Sequence, residues 1–430
     1  MPKLSDFLDP RAAGLARSSA LALSEHVEAR REAGEPISKL TLGQSPFPVP
    51  ERMVAALRDA AGAKDYAPTQ GLPALRKAVA EHVEKRLDID RTADDVVIGP
   101  GSKELLFLLQ LVFQGDLVVP TPTWGSCVPQ ATLLGRRVLS IQAKPEDGFL
   151  LRPAMLEQAL ASEPPRPRLL VLNYPGNPTG LTYRPDELRE LAQIAQRHEL
   201  LVLSDEVYGE LHHKGQHASV ARYYPEGTIV STGLSKWVGA GGWRLGCFVF
   251  PDQLRPILEA VVSVASETFS STSMPIQRAA IVAFEGGEDI ERYLFQVRRV
   301  LSALGRFTAR RLQSYGVRCA QPTGGFYVFA DFGPAIAQSM GTVYEGSAAL
   351  CARLLHDTRV ALVPGVAFGR PREELSARLA YVDFDGARAL AAVGVIPKEQ
   401  PVDETFLRRH CAPTVDAVER LGQWLDSRRR

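Results

Sequence analysis

The sequence has few cysteines, no surplus of charge of either sign and no long apolar run. Its 430 residues include five cysteines, none of them in a C-x-x-C pair, which argues against a disulfide framework or a zinc site and fits a reducing compartment. The 50 basic and 49 acidic side chains give a formal net charge of +1, so the charge pattern does not favour nucleic acid. No segment is long and apolar enough to span a bilayer, and the N-terminus lacks a signal-peptide pattern. We therefore expect a cytoplasmic protein without a bound metal, a nucleic-acid partner or a membrane anchor.

Helical and strand patterns alternate through residues 95–250. Continuous apolar runs at 169–172 and 200–203 are typical of strands buried on both faces, and a helical pattern over 185–198 lies between them. The alternation predicts an α/β protein whose large domain has a mostly parallel, seven-stranded sheet flanked by helices.

A chain of this length favours a second domain, and we expect a smaller α+β domain built from the N- and C-terminal segments. We assign residues 1–45 to an N-terminal arm and part of the small domain, 46–300 to the large, ligand-binding domain, and 301–430 to the small C-terminal domain. A long helix is predicted over 288–314, and an irregular, polar insert over 393–412.

Three short motifs each follow a predicted strand. In order they are Asn173-Tyr-Pro-Gly-Asn-Pro-Thr-Gly180, Ser204-Asp-Glu-Val-Tyr208, and Ser235-Lys236 with Gly242-Trp-Arg-Leu-Gly246. Because parallel strands end at one edge of a sheet, a carboxylate, a lysine and an arginine from these motifs would converge on one ligand. We infer that this ligand is pyridoxal 5′-phosphate and that Lys236 is its covalent anchor.

The residue types in the second and third motifs suit that cofactor. A lysine after a strand is usually a solvated surface residue, but glycines surround Lys236, and burial with nearby positive charge would lower its pKa enough for an amine nucleophile. Arg244 would supply that charge while binding a phosphate. Asp205 is either a helix cap or the acceptor that keeps a pyridine nitrogen protonated. Tyr208 is either a core tyrosine or a donor to the ring hydroxyl.

Five further residues are candidates for binding. Ser102 and Lys103 open a helix after Gly101, where free backbone amides could bind a phosphate. Trp124 lies in a proline-rich loop and either packs in the core or stacks on a flat ring. Asn177 is either a plain turn residue or a donor to a ligand oxygen. Arg378 lies in an apolar strand, where it would form an ion pair or bind a substrate carboxylate.

The ordered set of motifs resembles the class I/II aminotransferases, which are pyridoxal-phosphate enzymes of fold type I. The resemblance covers the chain from about Leu42 to Val382. The matching pieces are Leu42-Gly43 with Pro50, Tyr66 with Gly71 and Leu75-Arg76, Gly101-Ser-Lys103, Asn177-Pro-Thr-Gly180, Asp205-Glu-Val-Tyr208, Ser235-Lys236, Gly242-Trp-Arg-Leu-Gly246, Gly324-Gly325, Pro364-Gly365 and Arg378.

The resemblance implies a role for each residue. Lys236 would form the internal aldimine with the cofactor, and Asp205 would bind the pyridine nitrogen. The other cofactor contacts would be Asn177 and Tyr208 to the ring oxygen, Ser102, Lys103 (through its backbone), Ser235 and Arg244 around the phosphate, and Trp124 stacked on the ring. Gly43, Asn177 and Arg378 would hold the substrate carboxylate. Tyr66 would reach the phosphate of a neighbouring subunit, which implies a homodimer with shared active sites.

The predicted activity is amino transfer between an L-amino acid and a 2-oxo acid, with Lys236 as general base and then acid in a ping-pong cycle. A lyase, a decarboxylase or an amino-acid oxidase or hydroxylase would share the same anchor residues. A ligand-sensing domain of this fold usually follows a DNA-binding module, but only about 40 residues precede Leu42 and they are not basic enough. A nucleotide-binding protein is disfavoured because the first strand-to-helix turn lacks G-x-G-x-x-G.

The sequence departs from the family pattern at one position of the cofactor site. Many members carry a phosphate-binding serine three residues before the lysine, where this chain has Gly233, so Thr232 or Ser235 would have to compensate. The pocket for the substrate side chain is left open. Trp124, Phe326 and Tyr327 could line an apolar pocket, and the sequence leaves a polar pocket open as well.

Overall fold

The structure is a computed structural model that describes residues 7–338 and 344–428. The strands are β1 (Ser38–Lys39), β2 (Val96–Gly99), β3 (Asp116–Thr121), β4 (Val138–Gln142), β5 (Arg168–Asn173), β6 (Leu201–Asp205), β7 (Thr228–Gly233), β8 (Gly246–Val249), β9 (Arg318–Cys319), β10 (Tyr327–Asp331), β11 (Val360–Ala361), β12 (Val363–Pro364) and β13 (Ser376–Ala380). The helices are α1 (Pro10–Ala13), α2 (Ser19–Glu32), α3 (Glu51–Ala60), α4 (Pro73–Leu87), α5 (Ser102–Val112), α6 (Cys127–Leu133), α7 (Pro153–Ala161), α8 (Pro185–Arg197), α9 (Arg255–Thr268), α10 (Met274–Glu285), α11 (Glu288–Ser314), α12 (Gly333–Ala337), α13 (Ser347–Thr358), α14 (Gly386–Gly394), α15 (Glu404–His410) and α16 (Ala412–Asp426).

A seven-stranded sheet forms the centre of the large part of the molecule. Its strand order is β2-β8-β7-β6-β5-β3-β4. Strand β8 runs antiparallel to both of its neighbours, and the other pairs are parallel. The predicted fold class, a mostly parallel sheet of seven strands, is therefore confirmed.

Alternate residues of the central strands pack on opposite faces of this sheet. In β5, Leu169 and Val171 belong to the hydrophobic core on one face, with Leu105 of α5 and Val261 of α9. Leu170 and Leu172 belong to the core on the other face, between α7 and α8. Both faces are covered by helices, which is why the strand reads as an unbroken apolar run.

A second, smaller set of strands lies in the C-terminal part of the chain. Strands β12, β13, β10 and β9 form an antiparallel sheet in that order, and β1 pairs in parallel with β11. The pairing of β1 with β11 brings the N-terminal segment to the C-terminal half, as an α+β unit of both segments requires. The domain boundaries at 45/46 and 300/301 stay predictions.

The prediction of an irregular insert at 393–412 was partly wrong. Residues Glu404–His410 form α15, because the Asp403 side chain caps its first turn by accepting from the Phe406 amide at 2.8 Å and Phe406 is buried. The segment from the end of α14 to Gln400 is held by Arg299 of α11. Its guanidinium donates to four backbone carbonyls, those of Val393, Ile396, Pro397 and Gln400.

In the described ranges none of the helices combines the length and the apolar character needed to cross a membrane.

Candidate active site

The three motifs lie at one edge of the large sheet. Strands β5, β6 and β7 are parallel neighbours that end at Asn173, Asp205 and Gly233. Their carboxyl ends therefore lie side by side, and the loops that follow carry Asn177 and Lys236. This edge is where open α/β sheets bind their ligands.

The Lys236 amine is half-buried between the N-terminal segment and the large sheet. Its Nζ atom donates to the carbonyl of Gly43 at 2.7 Å and lies 5.6 Å from the centre of the Tyr208 ring. Burial lowers the pKa of Lys236 to about 8; the positive charge of Arg378 acts in the same direction, and the Asp205 carboxylate opposes them. An amine with this pKa is partly neutral near pH 7, as a nucleophile or general base must be.

Asp205 is a buried carboxylate whose hydrogen-bond donors are neutral. It is 5% exposed, and it accepts from the Asn173 side-chain amide at 2.9 Å and from the Ser231 hydroxyl at 3.2 Å. Burial raises the pKa of Asp205 to about 6. Among the residues described, no cation lies at ion-pair distance from this carboxylate. A buried carboxylate of this kind is a suitable acceptor for a protonated pyridine nitrogen.

Arg378 is a buried guanidinium, 3% exposed, in strand β13 beside the N-terminal segment. It donates to the Asn177 side-chain oxygen at 2.8 Å and to the Thr41 carbonyl. Its planar group lies 4.7 Å from the Tyr327 ring centre and 5.0 Å from that of Phe368, and its Nε atom is buried without a hydrogen-bond partner. The described part of the chain supplies no carboxylate for this cation, which is what a seat for a ligand carboxylate requires.

Tyr208 faces the same region from the end of the second motif. Its hydroxyl is 2.7 Å from the hydroxyl of Tyr327, and burial raises the pKa of Tyr208 well above its usual value. The phenol therefore stays protonated at neutral pH and can donate a hydrogen bond.

The predicted phosphate seat is built where α5 approaches the loop after β7. Ser102 is the first residue of α5, and the Arg244 guanidinium donates to the carbonyls of Gly241 at 2.9 Å and Pro100 at 3.2 Å. Gly101 gives the guanidinium its room, because a Cβ atom there would lie 2.3 Å from Arg244 Nη2. Free amides at a helix N-terminus beside an arginine suit a phosphate.

Lys103 and Trp124 lie together beside this seat. The Lys103 amine is 5.8 Å from the Trp124 ring centre, and burial, with the charge of Arg244, lowers the pKa of Lys103. Ser235 is half-buried directly before Lys236. The structure therefore brings the predicted phosphate-side residues into one region.

The departure at Gly233 has a steric reason. Gly233 pairs with Gly246 across β7 and β8, and a Cβ atom at 233 would lie 2.8 Å from the Leu245 carbonyl oxygen. A serine therefore does not fit without moving the backbone. Thr232 lines a cavity on the other side of the strand, together with Glu206, so Ser235 is the better candidate to compensate.

Tyr66 is the one predicted cofactor residue that the single chain leaves apart from the others. It lies in the loop between α3 and α4, and it is 90% exposed. An aromatic side chain this exposed is available to a neighbouring subunit, as the resemblance implies.

Sequence reasoning missed a buried cluster behind Asp205. The carboxylate of Glu206 accepts from the hydroxyls of Ser204 at 2.6 Å and Ser219 at 2.5 Å, and it lies 2.7 Å from His217 Nε2. Because adjacent residues of an extended chain point to opposite faces, Glu206 fixes the end of β6 from the side away from the candidate site. Its position directly after Asp205 is the sequence feature that could have indicated this role.

Two residues that contact the predicted ones were also missed. Asn173 donates to Asp205. Tyr327, which the sequence indicates only as a pocket-lining residue, contacts both Tyr208 and Arg378. Asn is a natural donor at a strand end, whereas nothing local to Tyr327 indicates its two contacts.

The fold and this set of groups fit a pyridoxal-phosphate enzyme of fold type I. Comparison with known proteins identifies the family within this class of enzyme. The family model "Aminotransferase class I and II" matches residues 35–386. The chain belongs to this family. Its members use pyridoxal phosphate, and the protein is accordingly a pyridoxal-phosphate-dependent aminotransferase.

Related proteins align over most of the chain. An aspartate aminotransferase of Geobacillus stearothermophilus is 32% identical over 387 residues, which cover 87% of this chain and 94% of the relative. An aspartate/prephenate aminotransferase of Thermus thermophilus is 30% identical over 373 residues, covering 85% and 93%. Among solved structures, the aspartate aminotransferase from Thermus thermophilus with maleate superimposes with a TM-score of 0.82 at 28% identity, covering 97% of this chain and 99% of that one.

Proposed function

We propose that the protein transfers the amino group of aspartate, or of a closely similar L-amino acid, to a 2-oxo acid, with Lys236 as the proton carrier. The names of the relatives support aspartate as the donor, and the buried Arg378 supports a substrate with an α-carboxylate. The observation that carries the proposal is the half-buried amine of Lys236, with its pKa near 8, in the same site as the buried carboxylate of Asp205.

Each residue has a defined task in this proposal. Pyridoxal phosphate, when bound, supplies an electron sink for the charge that develops at the substrate α-carbon. Asp205 would hold its ring nitrogen protonated and Tyr208 would donate to its ring oxygen. The phosphate would lie between the first turn of α5 and Arg244.

The substrate would be held by its carboxylate and deprotonated by the lysine. Arg378 would orient the α-carboxylate, with Asn177 fixing the guanidinium through the 2.8 Å bond. Lys236 Nζ would take the proton from the substrate α-carbon and then give it up on the cofactor side, so that the amino group stays with the cofactor when the 2-oxo acid leaves. The Gly43 carbonyl, which accepts from Nζ at 2.7 Å, would keep the amine at this position.

A screen of amino donors and 2-oxo acids on the purified holoenzyme tests the proposal. We expect the bound cofactor's visible absorbance to change when aspartate is added alone and to return when a 2-oxo acid follows. Asparagine, phenylalanine and alanine serve as comparison donors, and prephenate as an additional acceptor. Release of ammonia, carbon dioxide or peroxide without any need for an oxo acid would contradict transfer.

The active form is proposed to be a homodimer in which Tyr66 completes the partner's phosphate site. Its 90% exposure supports this arrangement. Mixing a Tyr66→Phe variant with a Lys236→Ala variant should give hybrid dimers with one site free of both substitutions, and activity above that of either parent. No gain on mixing, with subunit exchange verified, would contradict shared sites. The cytoplasmic location stays a prediction.

A further inference from the structure

Tyr327 lies where the cofactor side and the substrate side of the candidate site meet. It is the first residue of β10 and is 1% exposed. Its hydroxyl is 2.7 Å from that of Tyr208, and its ring centre is 4.7 Å from the Arg378 guanidinium carbon. Its hydroxyl also fills the space beside Gly43, since a Cβ atom there would lie 1.5 Å from the Tyr327 oxygen. Three segments that are distant in sequence thus hold this side chain in one place.

Among the residues described, few charged groups face the two tyrosines. Lys236 lies over the Tyr208 ring, Arg378 lies over the Tyr327 ring, and the Asp205 charge acts on Tyr208. Burial raises the pKa of Tyr327, and the charge of Arg378 opposes that rise. Both hydroxyls therefore carry a hydrogen at neutral pH.

The hydrogen count decides how the pair must be arranged during catalysis. A phenol has one hydrogen to donate, and either hydroxyl could donate in the 2.7 Å bond. If Tyr208 donates its hydrogen to the ring oxygen of the cofactor, the bond between the two tyrosines can persist only with Tyr327 as the donor. We propose that Tyr327 is a positioning residue that donates to Tyr208 and so directs the hydrogen of Tyr208 at the cofactor's ring oxygen.

This inference rests on the proposed role of Tyr208 and adds a residue that acts only through it. Donation by Tyr327 also makes the Tyr208 hydroxyl a stronger donor, because bonded hydroxyls polarise one another. A stronger donor favours the anionic form of the ring oxygen. Loss of the Tyr327 hydroxyl should therefore raise the pH at which the bound cofactor's visible absorbance changes.

The experiment compares four holoenzymes with wild type by spectrophotometric pH titration. They are the single variants Tyr208→Phe and Tyr327→Phe, their double variant, and Tyr381→Phe as a matched control. Tyr381 is equally buried and its hydroxyl donates to the Gly325 carbonyl at 3.3 Å, so its loss removes one buried hydroxyl hydrogen bond without touching Tyr208.

We expect Tyr327→Phe to raise the absorbance midpoint by about 0.5–1 pH unit, the size of one ordinary hydrogen bond. Tyr208→Phe should raise it further. The double variant should match Tyr208→Phe alone, since Tyr327 acts through Tyr208, and Tyr381→Phe should leave the midpoint unchanged. Phenylalanine keeps the ring under Arg378, so KM for the amino donor should stay within about twofold while kcat falls about threefold to tenfold.

Three results would overturn the inference. The first is a wild-type midpoint in Tyr327→Phe, and the second is a double variant whose shift is the sum of the single shifts. The third is a Tyr208→Phe variant with no shift, because Tyr327 then has nothing to act through. Amino transfer by the wild-type enzyme would be unaffected by any of them, so failure of this inference is distinct from failure of the proposed function. Thermal unfolding of each variant checks that all four are folded.

Discussion

Replacing Arg378 by lysine keeps the positive charge and removes the planar guanidinium. Two of the five N–H groups of Arg378 are used in bonds to Asn177 and Thr41, and its Nε–H has no partner among the residues described. The remaining donors form a fork that can bind a carboxylate with two parallel hydrogen bonds. Lysine offers a single charge without this geometry.

The expected loss of kcat/KM follows from those hydrogen bonds. Hydrogen bonds to a charged group contribute about 1.5–3 kcal/mol each, and lysine recovers part of the loss. A net loss of about 2–4 kcal/mol corresponds to a fall of about 30- to 1,000-fold in kcat/KM for the amino donor. The loss should appear mainly in KM if the carboxylate contact is equally strong in the substrate complex and the transition state.

The assay uses each amino acid beside the corresponding amine that lacks the α-carboxylate. Rates are followed in single turnovers by the visible absorbance of the holoenzyme. Wild type should prefer the amino acid strongly, whereas Arg378→Lys should lose most of that preference because its rate with the amine hardly changes.

A matched control is available at Arg370. This arginine is also buried and donates to the carbonyls of Thr121 and Ala143, but it pairs with Glu374. Arg370→Lys should lower thermal stability and leave the preference for the carboxylate intact. Equal losses for the amino acid and the amine in Arg378→Lys would refute the assignment of Arg378 as the carboxylate seat.

Three other predictions concern the cofactor side of the site. Asp205→Asn should lower kcat by about 100-fold or more in steady-state assays, because a neutral amide cannot hold a cationic ring nitrogen; kcat within a few fold of wild type would contradict this. In the apoprotein, labelling of Lys236 by a small amine-specific acylating reagent should rise with pH around a midpoint of about 8, because only the neutral amine reacts; a midpoint near ~10.4 would show an ordinary lysine. Gly233→Ala should destabilise the apoprotein by about 1–3 kcal/mol in thermal unfolding, because its Cβ atom would meet the Leu245 carbonyl at 2.8 Å. Gly242→Ala, whose Cβ atom would have no heavy atom within 4 Å, is the control and should change stability much less; equal losses would contradict the steric explanation.

The large sheet could be predicted from sequence because its strands have local signals. The runs 169–172 and 200–203 are apolar at every position. The first lies within β5, and the second lies within β6 except for Leu200, which directly precedes the strand. The positions of Asp205 and Lys236 also follow from local order, since Asp205 is the last residue of β6 and Lys236 comes three residues after the end of β7. Parallel topology then brings them to one edge without any knowledge of side-chain packing.

The contacts that complete the site could not be predicted, because they join distant segments. The bond between Lys236 and Gly43 spans 193 residues, and that between Arg378 and Thr41 spans 337. The pairing of Tyr208 with Tyr327 depends on how β10 packs against the large part of the molecule. No local pattern encodes such distances, and the resemblance to a family suggested the convergence without its geometry.

The helix at 404–410 shows a different limit of sequence reading. Its stretch is short and polar, with prolines at 397 and 401 before it, so the irregular pattern dominated the prediction. The cap at Asp403 and the burial of Phe406 outweigh that pattern in the folded chain. Tertiary packing of this kind stabilises many short helices that are marginal in isolation.

Reduction of the holoenzyme with borohydride, followed by peptide mapping, tests the central assignment most directly. The reduction makes the link between cofactor and protein permanent, so mass spectrometry can locate the pyridoxyl group. We predict that the label lies on Lys236 alone, at about one group per chain. A label on Lys103 or any other lysine, or no label on a protein that still transfers amino groups, would contradict the account.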